Sequence, residues 1–344
     1  MSAFEQLLKG WDGEQVAVRY EPDLDTWMFI GVHSTVRGPT GGGTRLRVYS
    51  APEEGLADVL KLSAAMTRKF AVCDVPRGGG KAVLAVPELP TGEARTELLH
   101  RFGTFITSLG GLYSCAPDMN TSEYDMDVIA ETCPYVFCKT AEKGGSGSTS
   151  PATAKGVFHG IEASVRFALD RDLTGVRVLV QGMGSVGALL ASYLDEAGAD
   201  LYVSDVDASR LTLGTPVAPE DVTGFACDVL APCAVGGVIN AVSIDQLRCR
   251  IVAGAANNQL AVPSLADRLH ERGILFAPDY VINAGGVLHG AGLESLGWSE
   301  QQVDERLRGI GDQLLALYAD GDGSPVHAAD RLVERRLTPS AGPR

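Results

Sequence analysis

Hydrophobic and polar residues alternate along the first part of the chain, and this pattern predicts β-strands. Apolar side chains recur at every second position over residues 16–20 and 27–31, a period that places one side of a strand in a core. Residues 52–68 change to a helical period, with Leu56, Val59, Leu60 and Ala64 on one stripe. Further elements are predicted by the same reasoning, namely strands at 71–75 and 82–86 and helices at 92–109 and 122–132.

From residue 151 onward, predicted strands and helices follow one another in turn, which is typical of a doubly wound parallel sheet. A helix is predicted from Pro151 to about Asp170, because proline is well tolerated in a first helical turn. The apolar run 176–180 then indicates a strand buried on both faces. Additional strands are predicted at 201–204, 229–231, 251–253 and 274–277, and two closing helices begin at Ser299, with a capping partner at Gln302, and at Ser324-Pro325.

The chain has 344 residues, a length that favours two domains. The best boundary is the stretch EKGGSGSTSP at 142–151, since glycine and serine are typical of a hinge. We therefore expect an α/β domain over 1–145 and a second α/β domain over 146–320. We expect the helix in 321–344 to pack back on the first domain.

Composition and charge narrow the class of protein. The residues are 45% hydrophobic and 21% charged, as in ordinary globular proteins. A net charge of −14, without runs of Lys or Arg, disfavours nucleic acid as a partner. The first residues lack the pattern of a signal peptide, and long apolar runs are missing from the sequence. We expect a cytoplasmic protein without a membrane partner.

The seven cysteines are scattered without CxxC spacing, and none of the six histidines stands in a ligand pattern. Such cysteines are typical of reduced thiols in a cytosolic enzyme. The sequence therefore predicts neither a disulfide framework nor a metal site.

A glycine-rich motif carries the clearest chemistry. Gly182, Gly184 and Gly187 form G-x-G-x-x-G directly after a predicted strand and at the start of a helix, and Asp205 ends the next strand. Such glycines permit a tight turn, close approach of a pyrophosphate and close packing of helix on strand. The acid is placed to accept hydrogen bonds from ribose hydroxyls and would repel a 2′-phosphate. The motif therefore predicts a Rossmann domain that binds NAD rather than NADP.

The first domain offers two lysines and a carboxylate that suit amino-acid chemistry. Lys69 lies in MTRK, Lys81 follows three glycines in PRGGGK, and Asp118 lies in APDMN. One ammonium can hold a substrate carboxylate as a point charge. A second lysine, desolvated and beside another cation, can act as a general acid and base.

The sequence resembles the glutamate, leucine, phenylalanine and valine dehydrogenase superfamily, and most of all its leucine, valine and phenylalanine branch. The resemblance spans residues 38 to 287. It rests on the segments GPTGGGTRL, AMTRK, VPRGGGKAV, PDMNT, VQGMGSVG, LAPCAVGG, AGAANNQL and APDYVINAGGV. It implies an N-terminal α/β substrate domain and a C-terminal Rossmann domain with a cleft between them, in a homo-oligomer.

The resemblance also implies roles for individual residues. Lys81 and Asp118 would be catalytic, with Asp118 moving a proton to or from the nitrogen. Lys69 would bind the α-carboxylate, and Asn257 would hold the substrate beside the nicotinamide. The other substrate-binding positions would be Gly41, Gly42, Ala116, Pro117, Val287 and Gly290. The other cofactor-binding positions would be Met183, Ser185, Val186, Thr153, Cys233, Ala234 and Ala255, with Asn257 shared.

The implied reaction is the reversible oxidative deamination of an L-amino acid. Hydride passes from Cα to NAD⁺, water activated by Lys81 adds to the iminium, and ammonia leaves a 2-oxo acid. Glutamate-specific relatives have a lysine where Gly41 stands, and its absence here disfavours glutamate as a substrate. Glycine at 41 and 290 predicts a roomy pocket for phenylalanine or another large apolar side chain, then leucine or valine. Alternatively, these glycines serve backbone conformation while other residues fill the space.

Two alternative functions remain, and one segment of the chain departs from the pattern of the superfamily. The chain could be a dehydrogenase of a specialised amino acid in a biosynthetic pathway, or a silent NAD-binding regulator, although a regulator would not need Lys69, Lys81 and Asp118 together. Between Asp205 and Cys227 the chain is shorter than is usual in the superfamily and contains two prolines. We therefore expect a truncated helix beside the adenine site.

Overall fold

The computed structural model describes residues 3–338, which form two compact units. Of the described residues, the first unit contains 3–148, the short segment Leu293–Gly297 and 335–338. The second unit contains Thr149–Gly292 and Trp298–Glu334. Both units are α/β, as the sequence predicts.

The helices and strands of the described residues are numbered in chain order. The α-helices are α1 (Ala3–Lys9), α2 (Pro52–Val72), α3 (Gly92–Thr107), α4 (Glu123–Ala130), α5 (Ser150–Leu169), α6 (Ser185–Glu196), α7 (Ser243–Gln246), α8 (Leu265–Glu271), α9 (Asp279–Ile282), α10 (Gly285–Ser295), α11 (Glu300–Ala319) and α12 (Pro325–Leu337). The strands are β1 (Gln15–Glu21), β2 (Thr26–Ser34), β3 (Thr40–Val48), β4 (Gly78–Val86), β5 (Tyr113–Pro117), β6 (Arg177–Gln181), β7 (Asp200–Ser204), β8 (Thr215–Pro216), β9 (Val229–Pro232), β10 (Ile251–Val252) and β11 (Leu275–Phe276).

The first unit is built on a mixed sheet with the order β1-β2-β4-β3-β5. β1 and β2 form an antiparallel pair, and β2 is antiparallel to β4, whereas β3 is parallel to both β4 and β5. Because side chains alternate along a strand, each face carries its own core. One face packs on α2, and the opposite face packs on α3 and α4.

The second unit is a parallel sheet with the order β11-β10-β9-β6-β7-β8, in which every paired strand runs in the same direction. This is the doubly wound architecture that the alternating pattern predicts. Its central strands are buried on both faces, and Leu179, Leu230, Val252 and Phe276 contribute to one core cluster from four neighbouring strands. The carboxyl end of β6 leads directly into the glycine motif.

The predicted strand at 71–75 is wrong. α2 continues to Val72, Cys73 is its C-cap residue, and Asp74 has a φ of 55° in the turn that follows. A short apolar run does not distinguish a strand from the buried end of a helix. The next strand, β4, begins at Gly78 rather than at 82, because glycines pair in a ladder but carry no hydrophobic signal.

Two expectations concern the second half of the chain. Between β7 and β9, where every residue is described, the chain forms β8 and two 3-10 turns, at Ala208–Arg210 and Pro219–Gly224, but no α-helix. The expected truncation is therefore present. The last helix is divided between the units. Its last turn, from Arg335, belongs to the first unit, where Arg336 Nη1 donates to the Ala71 and Val72 carbonyls at 2.9 and 2.6 Å, and the expectation that this helix packs back on the first domain stays a prediction. Pro325–Glu334 belong to the second unit. There Val326 packs on the core and the Tyr280 hydroxyl donates to Asp330 at 2.9 Å.

The described residues contain neither a candidate membrane span nor a candidate metal site. Among residues 3–338, none of the helices is both long and apolar enough to span a bilayer. In the same part of the chain, no group of three or more His, Cys, Asp or Glu side chains is placed to hold a metal ion.

Candidate active site

Glycines form part of one face of the first sheet, on the side covered by α2. Gly41 and Gly43 lie two positions apart on β3, and Gly41 pairs with Gly79 of β4. A Cβ atom at Gly43 would lie 2.7 Å from the Asp118 Cβ and 2.9 Å from the Lys81 Nζ. Because real Cβ atoms do not approach so closely, only glycine permits β3 to pass beneath these two side chains.

Lys81, Asp118 and Arg45 form a buried ionic cluster above this glycine face. Lys81 Nζ donates to Asp118 Oδ1 at 2.9 Å, and Arg45 Nε donates to Asp118 Oδ2 at 2.9 Å. The side chains are only 7%, 15% and 12% exposed, for Lys81, Asp118 and Arg45 respectively. Burial by itself would raise the pKa of Asp118, but the two cations outweigh burial and hold that pKa below its usual value. Asp118 is therefore an ionised acceptor at neutral pH.

A second layer of hydrogen bonds holds the cluster in place. Arg45 Nη1 donates to Asp58 of α2 at 3.0 Å, and the Tyr49 hydroxyl donates to the same Asp58 oxygen at 2.6 Å. The Asp118 amide donates to the Thr121 hydroxyl oxygen at 2.9 Å. Sequence reasoning missed Arg45, although it lies two residues after Gly43 and strand alternation places it on the same face.

The other predicted substrate residues of the first unit lie on the strands next to this cluster or on the helix that covers the sheet. Gly42 pairs with Cys115, and its carbonyl accepts a hydrogen bond of 2.8 Å from the buried Tyr113 hydroxyl. Ala116 pairs with Gly43, and Pro117 immediately precedes Asp118. Lys69 is half-buried in the last turn of α2. The structure therefore brings these predicted positions to one end of the sheet and the helix that covers it.

In the second unit, the three glycines of the motif have different surroundings. Gly182 has a φ of 95°, and a Cβ there would lie 2.6 Å from the Ala234 Cβ. A Cβ at Gly187 would lie only 1.8 Å from the Gly182 carbonyl oxygen. A Cβ at Gly184, the residue before α6, would meet no described atom within 4 Å. The turn therefore leaves open space at the helix N-terminus, where a pyrophosphate would fit.

Asp205 is fixed against this turn by backbone amides. The Met183 amide donates to its Oδ2 at 2.7 Å, and the Asp207 amide donates to its Oδ1 at 2.9 Å. The bond from Asp207 is the main cause that lowers the pKa of Asp205, so the carboxylate remains charged. Each carboxylate oxygen has a second lone pair, which remains able to accept a ribose hydroxyl. These residues fit the adenosine end of a dinucleotide.

The remaining predicted residues lie elsewhere in the second unit. Asn283, which sequence reasoning missed, donates from Nδ2 to the Asn257 Oδ1 at 3.0 Å and to the Ala255 carbonyl at 3.1 Å. The Thr153 hydroxyl donates to the Thr149 carbonyl at 2.9 Å. The Cys233 amide donates to Gln181 at the end of β6, and burial raises the pKa of the Cys233 thiol to about 12. The other positions lie on two helices, Ser185 and Val186 in the first turn of α6 and Val287 and Gly290 on α10.

The second unit thus contains a dinucleotide-type turn, and the first unit contains a buried lysine–carboxylate pair. Two family models match the chain. The Glu/Leu/Phe/Val dehydrogenase dimerisation domain matches residues 24–135, and the glutamate/leucine/phenylalanine/valine dehydrogenase model matches residues 144–209 and 206–321. The chain therefore belongs to the glutamate, leucine, phenylalanine and valine dehydrogenase family, and it is an amino-acid dehydrogenase that acts on a CH–NH₂ group.

Three relatives place the chain within this family. It is 42% identical to valine dehydrogenase from Streptomyces virginiae, over 94% of each chain. It is 38% identical to leucine dehydrogenase from Geobacillus stearothermophilus, over 96% of this chain and 92% of the relative. The crystal structure of L-tryptophan dehydrogenase from Nostoc punctiforme superposes with a TM-score of 0.78 at 36% identity, over 97% of this chain and 98% of that one.

Proposed function

We propose that the protein catalyses the NAD⁺-dependent, reversible oxidative deamination of an L-amino acid to the 2-oxo acid and ammonia. The observation that carries the proposal is the buried Lys81–Asp118 pair, joined at 2.9 Å above a glycine face. Because glycine has no side chain, this face leaves room for a small substrate next to Lys81 and Asp118, which exchange a proton. Burial also strengthens electrostatic interactions with charge that develops during the reaction.

Lys81 and Asp118 have separate tasks in this proposal. Lys81 Nζ orients the water that adds to the substrate iminium carbon and, in its neutral amine form, accepts a proton from that water; it returns the proton in the reverse direction. Asp118 accepts a proton from the substrate ammonium or returns one to the leaving nitrogen. Arg45 holds the second oxygen of Asp118, which keeps Oδ1 directed at Lys81. The nicotinamide cofactor, when bound, supplies the hydride acceptor.

Binding of the amino-acid backbone is assigned to Lys69 and Asn257. The ammonium of Lys69 pairs with the substrate α-carboxylate as a point charge. Asn257 is assigned to the substrate, and its amide oxygen is oriented by Asn283. Thr153 contacts the nicotinamide carboxamide.

The cofactor is NAD rather than NADP. The support is Asp205, whose charged carboxylate is held beside the glycine turn by the Met183 amide. A 2′-phosphate at this place would meet the carboxylate at close range, and like charges repel. The other cofactor contacts are assigned to the turn residues 182–187 and to Cys233, Ala234 and Ala255.

For the substrate we propose a large side chain, with phenylalanine first and leucine or valine next. Gly41 supports this assignment, because the bare backbone removes side-chain volume, and a tryptophan dehydrogenase is among the relatives. A specialised amino acid of similar size is the second candidate. The protein acts as a homo-oligomer, which the dimerisation-domain match supports. The seven cysteines, all free thiols, favour the cytoplasm.

One assay tests the proposal. Purified protein is given NAD⁺ or NADP⁺ and each of twenty L-amino acids at alkaline pH, and NADH formation is followed by absorbance. Lys81→Ala should abolish turnover but leave NADH binding unchanged, whereas Lys69→Ala should chiefly raise the amino-acid KM. Lys61→Ala, which removes an exposed lysine of α2, is the matched control. Wild-type turnover in Lys81→Ala would refute the assignment.

A further inference from the structure

His33 is a histidine of the first unit that the proposed chemistry does not use. It is the extra residue of a β-bulge in β2, because Val32 pairs with Gly80 of β4 and Ser34 pairs with Gly79. A bulge changes the direction in which a side chain points, and bulges are common beside active sites. The side chain of His33 is only 12% exposed.

Both ring nitrogens of His33 have hydrogen-bond partners. Nε2 lies 2.9 Å from Asp12 Oδ1, and Nδ1 lies 2.9 Å from Oγ1 of the buried Thr67 in α2. The hydrogen bond from His33 lowers the pKa of Asp12, so this carboxylate is ionised and only accepts. Nε2 therefore carries the proton, and Nδ1 of the neutral ring accepts a hydrogen bond from the Thr67 hydroxyl. The Ser63 carbonyl, at 3.5 Å, is a more distant acceptor for that hydroxyl.

Thr67 marks the place where α2 touches β4. A Cβ at Gly79 would lie 2.1 Å from both the amide nitrogen and Oγ1 of Thr67. About one helical turn earlier, a Cβ at Gly31 of β2 would lie 2.9 Å from the Ser63 Oγ. Only glycine permits such close approach, so α2 lies directly on bare backbone of the sheet.

This contact is close in sequence to both lysines of the proposed site. Lys69 follows Thr67 by two residues, in the last turn of α2. Lys81 follows Gly79 by two residues on β4, and it pairs with Gly31 of β2. The way in which α2 sits on β4 at Thr67 therefore sets the separation of Lys69 from Lys81. A helix that slides or rotates at this point moves one lysine relative to the other.

We propose that His33 is a positioning residue, whose hydrogen bond with Thr67 fixes the end of α2 on β4 and thereby the separation of the two lysines. The inference rests on the proposed deamination, in which Lys69 holds the substrate α-carboxylate and Lys81 acts at the reacting carbon. An ammonium binds a carboxylate as a point charge, so Lys69 still binds the substrate when the helix shifts. The substrate then lies out of line with Lys81. Loss of the hydrogen bond should therefore lower kcat more than it raises the amino-acid KM.

Two substitutions at Thr67 test the hydrogen bond. Thr67→Val keeps the shape of the side chain but removes the hydroxyl, and it should lower kcat at least tenfold, since a misplacement of about 1 Å can reduce a rate by about a hundredfold. The amino-acid KM should change less than threefold. Thr67→Ser keeps the hydroxyl and should retain kcat within threefold. NADH affinity should be unchanged in both variants, because the glycine turn lies in the other unit.

Two substitutions at His33 test the same bond from the other side. His33→Gln places an amide near the position of Nε2, which keeps a donor for Asp12 but loses the partner of Thr67. It should lower kcat at least tenfold. His33→Asn places an amide oxygen near the position of Nδ1 and should restore kcat to within threefold. His100→Gln is the matched control, because it removes a partly exposed histidine of α3, and it should leave kcat unchanged.

The double variant His33→Gln/Thr67→Val separates a shared bond from two independent defects. If both residues act through one hydrogen bond, the double variant should have a kcat within twofold of the more impaired single variant. Urea unfolding of each variant shows whether stability has changed. A residue with only a structural role would lower the free energy of unfolding but leave kcat unchanged at temperatures where the variant is folded.

The outcomes distinguish this inference from the proposed function. An enzyme that oxidises amino acids but keeps its wild-type kcat in Thr67→Val and in His33→Gln would overturn the role of His33 alone. A rise of KM at constant kcat, or losses that multiply in the double variant, would do the same. If Thr67→Val does not fold, the two His33 variants decide. A wild-type protein that oxidises none of the twenty amino acids would overturn the proposed deamination, and the inference with it.

Discussion

A methyl group added at Gly43 would disturb the Lys81–Asp118 pair directly. In Gly43→Ala the new Cβ would lie 2.7 Å from the Asp118 Cβ and 2.8 Å from the Pro117 carbonyl oxygen. The first distance is about 0.7 Å short of an ordinary contact of about 3.4 Å. Part of the shortfall falls on backbone atoms, which adjust less readily than the end of a flexible side chain. The Lys81–Asp118 geometry must therefore move by several tenths of an ångström.

The magnitude follows from this displacement. A misplacement of about 1 Å can reduce a rate by about a hundredfold, so a shift of about 0.7 Å should lower kcat by about ten- to a hundredfold. Overpacking of a buried site lowers the free energy of unfolding by about 1–3 kcal/mol. The expected variant is thus folded, somewhat less stable and strongly impaired in turnover, with unchanged NADH affinity because the glycine turn lies in the other unit.

The assay combines kcat from NADH formation, NADH binding by fluorescence and unfolding by urea. Gly41→Ala is the matched control for stability, because it is on the same face of the same strand and its nearest atom, the Phe70 Cζ, lies at an ordinary 3.5 Å. This control should change the free energy of unfolding by less than about 1 kcal/mol. Wild-type kcat in Gly43→Ala would refute the requirement for a close Lys81–Asp118 pair above β3.

Three further predictions follow from the ionic contacts. Asp205→Ser should reduce the preference for NAD⁺ over NADP⁺ at least tenfold, measured as the ratio of kcat/KM values, because the charge that repels a 2′-phosphate is removed; an unchanged ratio would contradict the role of Asp205. Arg45→Met should lower the free energy of unfolding by about 3 kcal/mol, since it leaves Asp58 and part of Asp118 without a cation, and urea denaturation at neutral pH would show this loss. The pKa of Asp118 lies below its ordinary value of 3.8, so the ionised group stabilises the fold above about pH 4 and this contribution is lost as the pH falls further. The stability difference between wild type and Asp118→Asn should therefore be constant above about pH 5 and shrink below about pH 4; a difference that does not depend on pH would argue against the ionised pair.

Local patterns in the sequence are sufficient to predict a structural feature when one continuous segment contains all of its parts. The turn at 182–187 is an example, because strand, glycines and helix N-terminus are consecutive and Asp205 follows one strand later. The capping box of Ser299 and Gln302 was predicted for the same reason and is present in α11. By contrast, β3 contains three successive glycines and was not predicted, since glycine contributes no hydrophobic period.

What the sequence by itself determined is the class of each unit, the dinucleotide turn and the residue types available for amino-acid chemistry. Only the tertiary structure decided that Arg45 shares Asp118 with Lys81, and that Thr67 lies against Gly79 with His33 bonded to it. The physical reason is that strand pairing joins residues far apart in sequence. Asp118 meets Arg45 and Lys81 because β3 lies between β4 and β5, and a pattern read along one segment carries no information about that order.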